Sequence, residues 1–324
     1  MSLIDKFTGL RVLVVGDIMI DSYYFGKVDR ISPEAPVPVV AVSKKENRLG
    51  GAANVALNLV ALGALPTVCS VIGKDKDGDD LIDLLKENKV GINGVVRSAT
   101  RITTVKTRVI AQNHQMLRID SEQTQPVTAT ESYELVDRFT KLLQDCDVVL
   151  FEDYDKGVLT DENIKQITQM AHHRGIAVVV DPKKRNFSSY TGVDLFKPNL
   201  KELKEGAGID VNEDDREAFE QSLQKLMQKM QLKNLMVTMS EKGVLITNGK
   251  DFHYVSAHFR KIADVSGAGD TVISVAALCM ALGTPLKQLA ELSNLAGGLV
   301  CEEVGVVPVQ KSLMIAEAER LAII

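Results

Sequence analysis

The sequence predicts an α/β protein, a doubly wound and mostly parallel sheet with a small β-sheet lid. Three observations carry this. Short apolar runs rich in β-branched residues recur along the chain. Amphipathic stretches of helical length alternate with them, and two segments that read as strand pairs break the alternation.

The runs are Val12-Leu13-Val14-Val15, Val148-Val149-Leu150-Phe151, Ala177-Val178-Val179-Val180 and Leu235-Met236-Val237. Each is apolar at consecutive rather than alternate positions, as in strands covered by helices on both faces. Helices are expected from Ala52 to Leu62, stopped by Gly63, from Ser132 to Leu143 and from Glu213 to Met230. The exceptional segments are Ser22 to Ser43, containing Val37-Pro38-Val39-Val40-Ala41-Val42, and Thr100 to Asp120, with a turn at Ala111 to Gln115. They predict lid strands at about 22–43 and 100–120, inserted in one domain spanning 1–324. So small a sheet leaves a face uncovered, which must cover a ligand, pair with another subunit, or both.

Composition narrows the function. Of 324 residues, 45% are hydrophobic and 25% charged, and the net charge is −5, so no electrostatic footprint for nucleic acid or an anionic membrane is present. Cys69, Cys146, Cys279 and Cys301 are scattered without CxxC spacing and read as free thiols rather than a disulfide framework or zinc site. The N-terminus lacks the layout of a secretory signal, and no apolar run approaches the ~20 residues that span a bilayer. A cytoplasmic location is expected.

Ligands of such sheets gather at the carboxyl ends of the strands. Asp17, Asp21, Asp153, Asp181 and Ser240 follow the runs there, although each by itself also suits a solvated loop. Ser266-Gly267-Ala268-Gly269-Asp270-Thr271 opens an almost wholly apolar helix that Gly283 and Pro285 stop. Its glycines admit a close ligand, the helix start favours negative charge, and Asp270 could take a proton from an attacking hydroxyl. The same spacing suits a buried helix whose aspartate only meets the dipole. Leu49-Gly50-Gly51-Ala52-Ala53-Asn54 also leads into a helix; it serves close packing or a surface for a polyhydroxy substrate, with Asn54 as a hydrogen-bonding side chain. Neither GxGxxG nor a Walker A sequence occurs. In Lys197-Pro198-Asn199-Leu200-Lys201-Glu202, Asn199 and Glu202 stand three apart, as a helix cap or as organisers of a hydrated magnesium.

Together with Gly16-Asp17 and Thr238-Met239-Ser240-Glu241-Lys242-Gly243, these motifs resemble the ribokinase-like (PfkB) carbohydrate kinases over nearly the whole chain. Arg30 to Val39, Arg108 to Asp120, Asp153-Tyr154-Asp155-Lys156-Gly157 and Asp181-Pro182-Lys183 are similar to the branch acting on D-glycero-D-manno-heptose 7-phosphate. The resemblance implies ATP-dependent phosphorylation of the anomeric hydroxyl, with other sugar phosphates of the fructose or tagatose type as the alternative. It implies Asp270 as base and the amides of Gly267, Ala268, Gly269 and Asp270 as anion hole. Asp17, Gly50, Gly51, Asn54 and Asp153 would meet the sugar, and Asn199 and Glu202 would arrange Mg2+ through water. Leu200, Lys201, Thr238, Ser240, Glu241, Gly243 and Asn294 would lie along ATP. Lys183, Arg108 and Lys156 are candidates for the substrate's phosphate, whereas Lys184 and Arg185 read as a solvated loop. A monovalent cation and a homodimer through the lid are compatible with the pattern. The chain ends at Ile324 without an HxGH-like segment, so a pathway nucleotidyltransferase is expected on another polypeptide. Three places depart from the pattern: Ser240 stands where many sugar kinases have glycine, Asp155 where a small residue is expected, and Gly305-Val306-Val307-Pro308 where a more polar segment is expected at the adenine end.

Overall fold

The computed structural model describes residues 2–112, 114–208, 212–257 and 262–324. β1 (Arg11–Gly16) leads into a long hairpin, β2 (Ile18–Ile31) and β3 (Pro38–Gly51), then α1 (Ala52–Ala61), β4 (Leu65–Gly73), α2 (Lys76–Glu87) and β5 (Gly91–Ser98). A second hairpin, β6 (Val105–Ala111) and β7 (His114–Ser121), precedes α3 (Ala129–Leu142), β8 (Val148–Glu152), α4 (Asp161–His173) and β9 (Ala177–Asp181). The chain continues through β10 (Leu195–Phe196), α5 (Leu200–Ala207), α6 (Arg216–Met230), β11 (Leu235–Thr238), β12 (Val244–Thr247) and β13 (Phe252–Val255). It closes with α7 (Ala268–Ala281), α8 (Leu286–Val300) and α9 (Lys311–Arg320).

Among the described residues, nine strands form the main sheet in the order β13-β12-β11-β10-β9-β8-β1-β4-β5. Its pairings are parallel except at the β11-β12-β13 edge. Consecutive side chains of the central strands enter two different cores, which is why the runs show no alternation. Val12, Val14, Val148, Leu150 and Val179 pack under α1, α7 and α8. Leu13, Val15, Val149, Phe151, Val178 and Val180 pack under α3, α4 and α6. β4 and β5 lack so clean a signature, because Pro66, Thr67 and Ser70 interrupt one and Gly91, Asn93 and Gly94 the other.

Helix starts follow caps rather than the first apolar residue. Thr128 and Glu131 form a reciprocal capping box that starts α3 ahead of Ser132. Asp215 caps α6, which therefore begins at Arg216 rather than Glu213.

The lid is a four-stranded sheet, β3-β2-β6-β7. Each hairpin is antiparallel, and the two join through a parallel β2–β6 pairing from Ile20↔Val105 to Gly26↔Ala111. Its strands reach further than 22–43: β2 begins one residue after Asp17 and β3 runs to Gly51, so the roots of the lid carry Asp21, Gly50 and Gly51. The β6–β7 turn contains Asn113, which lies outside the described residues. β7 is exposed along its whole length, including Met116, Leu117 and Ile119. Among the described residues, no helix is long and apolar enough to cross a membrane.

Gly16, at the end of β1, has no room for a side chain, since a Cβ there would overlap the carbonyl of Glu152 on the paired strand. Gly16→Ala must push β1 and β8 apart at the centre of the sheet. The expected loss is about 1–3 kcal/mol or more, the cost of overpacking, read as a lower urea midpoint.

Candidate active site

Asp270 lies in the first turn of α7, where Gly267 supplies a left-handed N-cap (φ 80°). A Cβ on Gly267 would sit 3.0 Å from Val306 Cγ1 and 3.3 Å from Asn54 Nδ2, so the turn is closely wrapped. Both carboxylate oxygens of Asp270 are engaged. Asn54 Nδ2, on α1, donates to Oδ2 at 2.6 Å, and the Tyr154 hydroxyl, just past β8, donates to Oδ1 at 2.9 Å. Burial raises the Asp270 pKa, while Asn54, Tyr154, Lys197 and Lys183 pull it down. The Tyr154 hydroxyl stays protonated, its own pKa pushed well above normal by burial and by the Asp270 charge. α1 is fixed against α7 by Asn58, whose Oδ1 accepts from Thr271 Oγ1 at 3.0 Å and from the Val309 amide at 3.1 Å.

The glycine pair at the end of β3 makes room for specific neighbours. A Cβ on Gly50 would overlap the Asp21 carboxylate, and one on Gly51 (φ 59°) the Asp17 carbonyl. Asp21 is paired with Arg108 across the β2–β6 contact. Asp17 and Asp153, expected on the sugar, are both turned inward. Asp17 Oδ2 accepts from the amides of Tyr154 (2.9 Å) and Lys156 (3.1 Å), and Oδ1 from that of Val158 (3.1 Å). Its carboxyl is pushed up to about 6 by burial and by nearby Asp153, against those three bonds. Asp153 Oδ2 accepts from Tyr190 OH (2.7 Å) and Asn186 Nδ2 (2.9 Å), and Oδ1 from the Asp155 amide (2.9 Å). The carboxylate that faces the glycine pair is therefore Asp21, four residues after Asp17.

The expected magnesium pair is a capping box. The Glu202 amide donates to Asn199 Oδ1 at 2.8 Å, and the Asn199 amide donates to Glu202 Oε2 at 2.9 Å. The other oxygen of Glu202 pairs with Lys183. This places Lys183, expected on a substrate phosphate, on the Glu202 side, with its ammonium 5.5 Å from the Tyr154 ring centroid. Lys156 is likewise taken, 2.9 Å from Glu122. Thr238 ends β11 beside Asn199 through an isolated parallel bridge. Ser240 (φ 51°), exposed Glu241 and Gly243 (φ 91°) form the next turn, and the Met239 amide donates to the Gly243 carbonyl at 2.8 Å. Leu200 is half-buried and Lys201 exposed on the first turn of α5. Asn294, on α8, donates to the Ser256 carbonyl at 2.9 Å. Ser240 and Asp155 (φ 56°) both adopt left-handed backbone, the physical reason a glycine or small residue is expected at each.

Glu152 was not singled out in the sequence, yet it joins Asp181 in a buried carboxylate group. Glu152 ends β8, Asp181 ends β9, and the two are register neighbours. Lys197 lies 2.8 Å from Asp181. Burial and the charges of Asp181 and Asp270 hold Glu152 well above the usual carboxylate range. Asp181 is pushed up to about 6 by burial, with Lys197 and Lys183 opposing. Glu152 Oε2 and Asp181 Oδ1 are buried with no hydrogen-bond partner among the described residues. Such orphan oxygens suit a hydrated Mg2+, which keeps most of its waters and needs few protein ligands.

Between lid and main domain lies a cavity of about 320 Å³, whose walls include Tyr23, Arg48, Arg108, Asp264, Ser266 and Val306. Val306 connects it to Gly267, and Arg108 to Asp21 and Gly50. The cavity walls thus adjoin the turn before Asp270 on one side and the Asp21 neighbour of Gly50 on the other.

The family described as pfkB family carbohydrate kinase matches residues 10–312. The chain is 41% identical over 304 residues to the "Bifunctional protein HldE" of Syntrophotalea carbinolica, covering 93% of this chain and 61% of that protein. It is 40% identical over 317 residues to the protein of the same name from Desulfatibacillum aliphaticivorans, covering 98% and 64% respectively. The chain thus spans somewhat over three-fifths of the length of these relatives. Among solved structures, phosphofructokinase-2 from Escherichia coli in complex with potassium superposes with a TM-score of 0.80 at 18% identity, covering 97% of this chain and 99% of that one. Ribokinase from Arabidopsis thaliana complexed with ribose and ATP gives 0.74 at 18% identity, covering 95% and 98%. These two likenesses establish the ribokinase-like α/β fold.

Gly269 differs from its neighbours. A Cβ there meets nothing within 4 Å, and its φ is not positive, so the folded chain has no need of glycine at this point. The open space lies in the first turn of α7, and anions favour such a helix start. Gly269→Ala is expected to keep or raise the melting temperature, because alanine favours a helix over glycine by about 1 kcal/mol. Turnover should fall at least tenfold in the same variant. A steady-state assay paired with thermal melting checks both.

Proposed function

The chain belongs to the pfkB family of carbohydrate kinases, and from that premise we propose that it transfers the γ-phosphoryl group of ATP to the anomeric hydroxyl of D-glycero-D-manno-heptose 7-phosphate. The products are ADP and the 1,7-bisphosphate, a precursor of nucleotide-activated heptose for lipopolysaccharide. The observation that carries this reading is Asp270, buried at a helix start and held by Asn54 and Tyr154 beside the lid cavity.

In the proposed reaction Asp270 accepts the proton as the hydroxyl oxygen bonds to the γ-phosphorus and the bond to ADP breaks. The amides at the start of α7 face the negative charge redistributed over the phosphoryl oxygens. Gly50, Gly51 and Asp21 place the sugar, and Asn54 orients the base. The turn from Thr238 to Gly243, with Asn294, borders the nucleotide. Bound Mg2+, held through water by the unpartnered Glu152 and Asp181 oxygens, would neutralise phosphate charge. Lys183 and Lys197 add positive charge on that side. A monovalent cation is part of the proposal, supported by the potassium in the E. coli phosphofructokinase-2 structure. So is a homodimer through the exposed lid face, and a cytoplasmic site where ATP is supplied. A nucleotidyltransferase acting later in the same route is also part of the proposal. The second reading, a kinase of fructose or tagatose phosphates, draws on the likeness to phosphofructokinase-2.

ADP release across a panel of sugars tests the substrate. Heptose 7-phosphate should exceed fructose 6-phosphate and tagatose 6-phosphate by roughly 100-fold in kcat/KM, about 2.8 kcal/mol at tenfold per 1.4 kcal/mol. Rapid turnover of a hexose phosphate with heptose 7-phosphate ignored would transfer the proposal to the second reading. Asp270→Asn should lower kcat by about 10²–10⁴, the range for a lost general base, with the ATP dissociation constant unchanged.

A pH profile tests the tuning of the base. Asp270 acts as its carboxylate, so activity falls as pH drops through a pKa raised above the ordinary value. The Tyr154 hydrogen bond lowers that pKa, so Tyr154→Phe raises it further. The acidic limb of kcat/KM should therefore move to higher pH in Tyr154→Phe; an unmoved limb would separate Tyr154 from the ionisation of Asp270.

A further inference from the structure

An acceptor that already bears a phosphate needs a cationic anchor away from Asp270. Of the cations expected to supply one, Lys183 is bound to Glu202 and Lys156 to Glu122. Lys197, also near the reaction centre, is bound to Asp181. The cations that line the lid cavity are Arg108 and Arg48.

We propose that Arg48 and Arg108 together hold the phosphomonoester of the acceptor sugar, with the Tyr23 ring as their common platform. This rests on the reading of the acceptor as a sugar phosphate. The two guanidinium carbons lie 4.9 and 5.5 Å from the Tyr23 ring centroid, so one aromatic surface orders both. Each guanidinium is also aimed by a carboxylate on the lid. Arg48 Nε donates to Glu46 Oε1 at 2.6 Å, and Glu46 is itself fixed by Lys44 at 2.6 Å. Arg108 Nη1 donates to Asp21. Among the described residues, no hydrogen bond is formed by either Nη group of Arg48, or by Nε or Nη2 of Arg108. Those N–H groups are the ones left to meet phosphate oxygens, for which a planar guanidinium is well shaped.

The other walls define where the phosphate can go. Asp264, the acidic residue lining the cavity, is turned into backbone: Oδ1 accepts from the Ser266 amide at 2.9 Å and Oδ2 from the Gly305 amide at 3.1 Å. Its charge still disfavours an anion on that wall, so the phosphate lies on the lid side. Gly305 passes close to Arg48, since a Cβ there would be 3.2 Å from Nη1. Val306 carries the same wall on to Gly267, and hence to Asn54 and Asp270. A sugar phosphate held by the two arginines would extend along this wall with its far end at the base. Arg48 stands two residues before Gly50 on β3, so the phosphate contact and the sugar contact come from one strand.

The test compares each sugar phosphate with its unphosphorylated form: heptose 7-phosphate with heptose, and fructose 6-phosphate with fructose. In Arg48→Gln, KM for the phosphorylated member should rise roughly 10- to 100-fold, as for loss of a hydrogen bond to a charged group. KM for ATP, kcat/KM for the unphosphorylated member and the melting temperature should hold. Arg48→Lys should recover part of the loss, and inorganic phosphate should inhibit Arg48→Gln less than the wild type. Arg108→Gln should behave alike, with melting followed because it also frees Asp21. Equal losses on both members of a pair, or an unchanged ratio between them, would overturn the assignment. So would a wild-type enzyme that favours unphosphorylated sugars throughout. If heptose 7-phosphate is ignored while fructose 6-phosphate is phosphorylated, the heptose reading fails, and the fructose pair still decides the role of Arg48.

Discussion

The rest of the site is arranged around one buried carboxylate that must stay ionised. Asp270 sits where water solvates it poorly, and burial alone would favour its neutral form. The fold answers with two donors from distant parts of the chain, Asn54 from α1 and Tyr154 from the end of β8, and with the start of α7 itself. Each donor is in turn positioned. Asn58 locks α1 to α7 and to the segment at Val309, so Asn54 cannot move without unpicking a buried network. In the proposed reaction, a base held this way would need little reorganisation when it takes a proton.

The carboxylates at the strand ends impose a second constraint. Burial raises the proton affinity of Glu152, Asp181 and Asp270, the charges of Asp181 and Asp270 raise that of Glu152 further, and Lys183 and Lys197 oppose the rise at all three. Moving either lysine to a substrate phosphate would leave a buried acid group uncompensated, which costs more than the pair itself contributes. On the proposed reading, the nucleotide side and the acceptor side would thus carry separate sets of cations. The lid supplies its own, and those arginines are matched by lid carboxylates, Glu46 and Asp21.

The parallel sheet was legible because burial on both faces leaves a mark that few other structures leave: β1, β8, β9 and β11 are apolar at consecutive positions. β4 and β5 were not, since their polar and glycine residues dilute that mark. In the site, the Gly267 to Asp270 turn was readable because a helix start, a left-handed glycine and an acidic residue coincide. The roles of Asn199 and Glu202 were ambiguous for a physical reason: a spacing of three suits a capping box as well as a shared metal. Likewise Asp17 and Asp21 both follow β1 within five residues, and only the three-dimensional path shows one turned inward and the other towards Gly50. Lys183 and Lys156 carry the charge a phosphate needs, but sequence spacing cannot reveal that a carboxylate already holds each.

The inward turn of Asp17 gives that residue a different importance. It lies between β1 of the main sheet and β2 of the lid, and its carboxylate accepts from the amides of Tyr154, Lys156 and Val158. The same loop presents the Tyr154 hydroxyl to Asp270. Asp17 therefore joins the root of the lid to the loop that orients the base. Any rotation of the lid about the β1–β2 junction strains three hydrogen bonds to that loop, and through it the bond to Asp270. In the proposed reaction, acceptor binding at the lid and alignment of Asp270 would then share one buried aspartate.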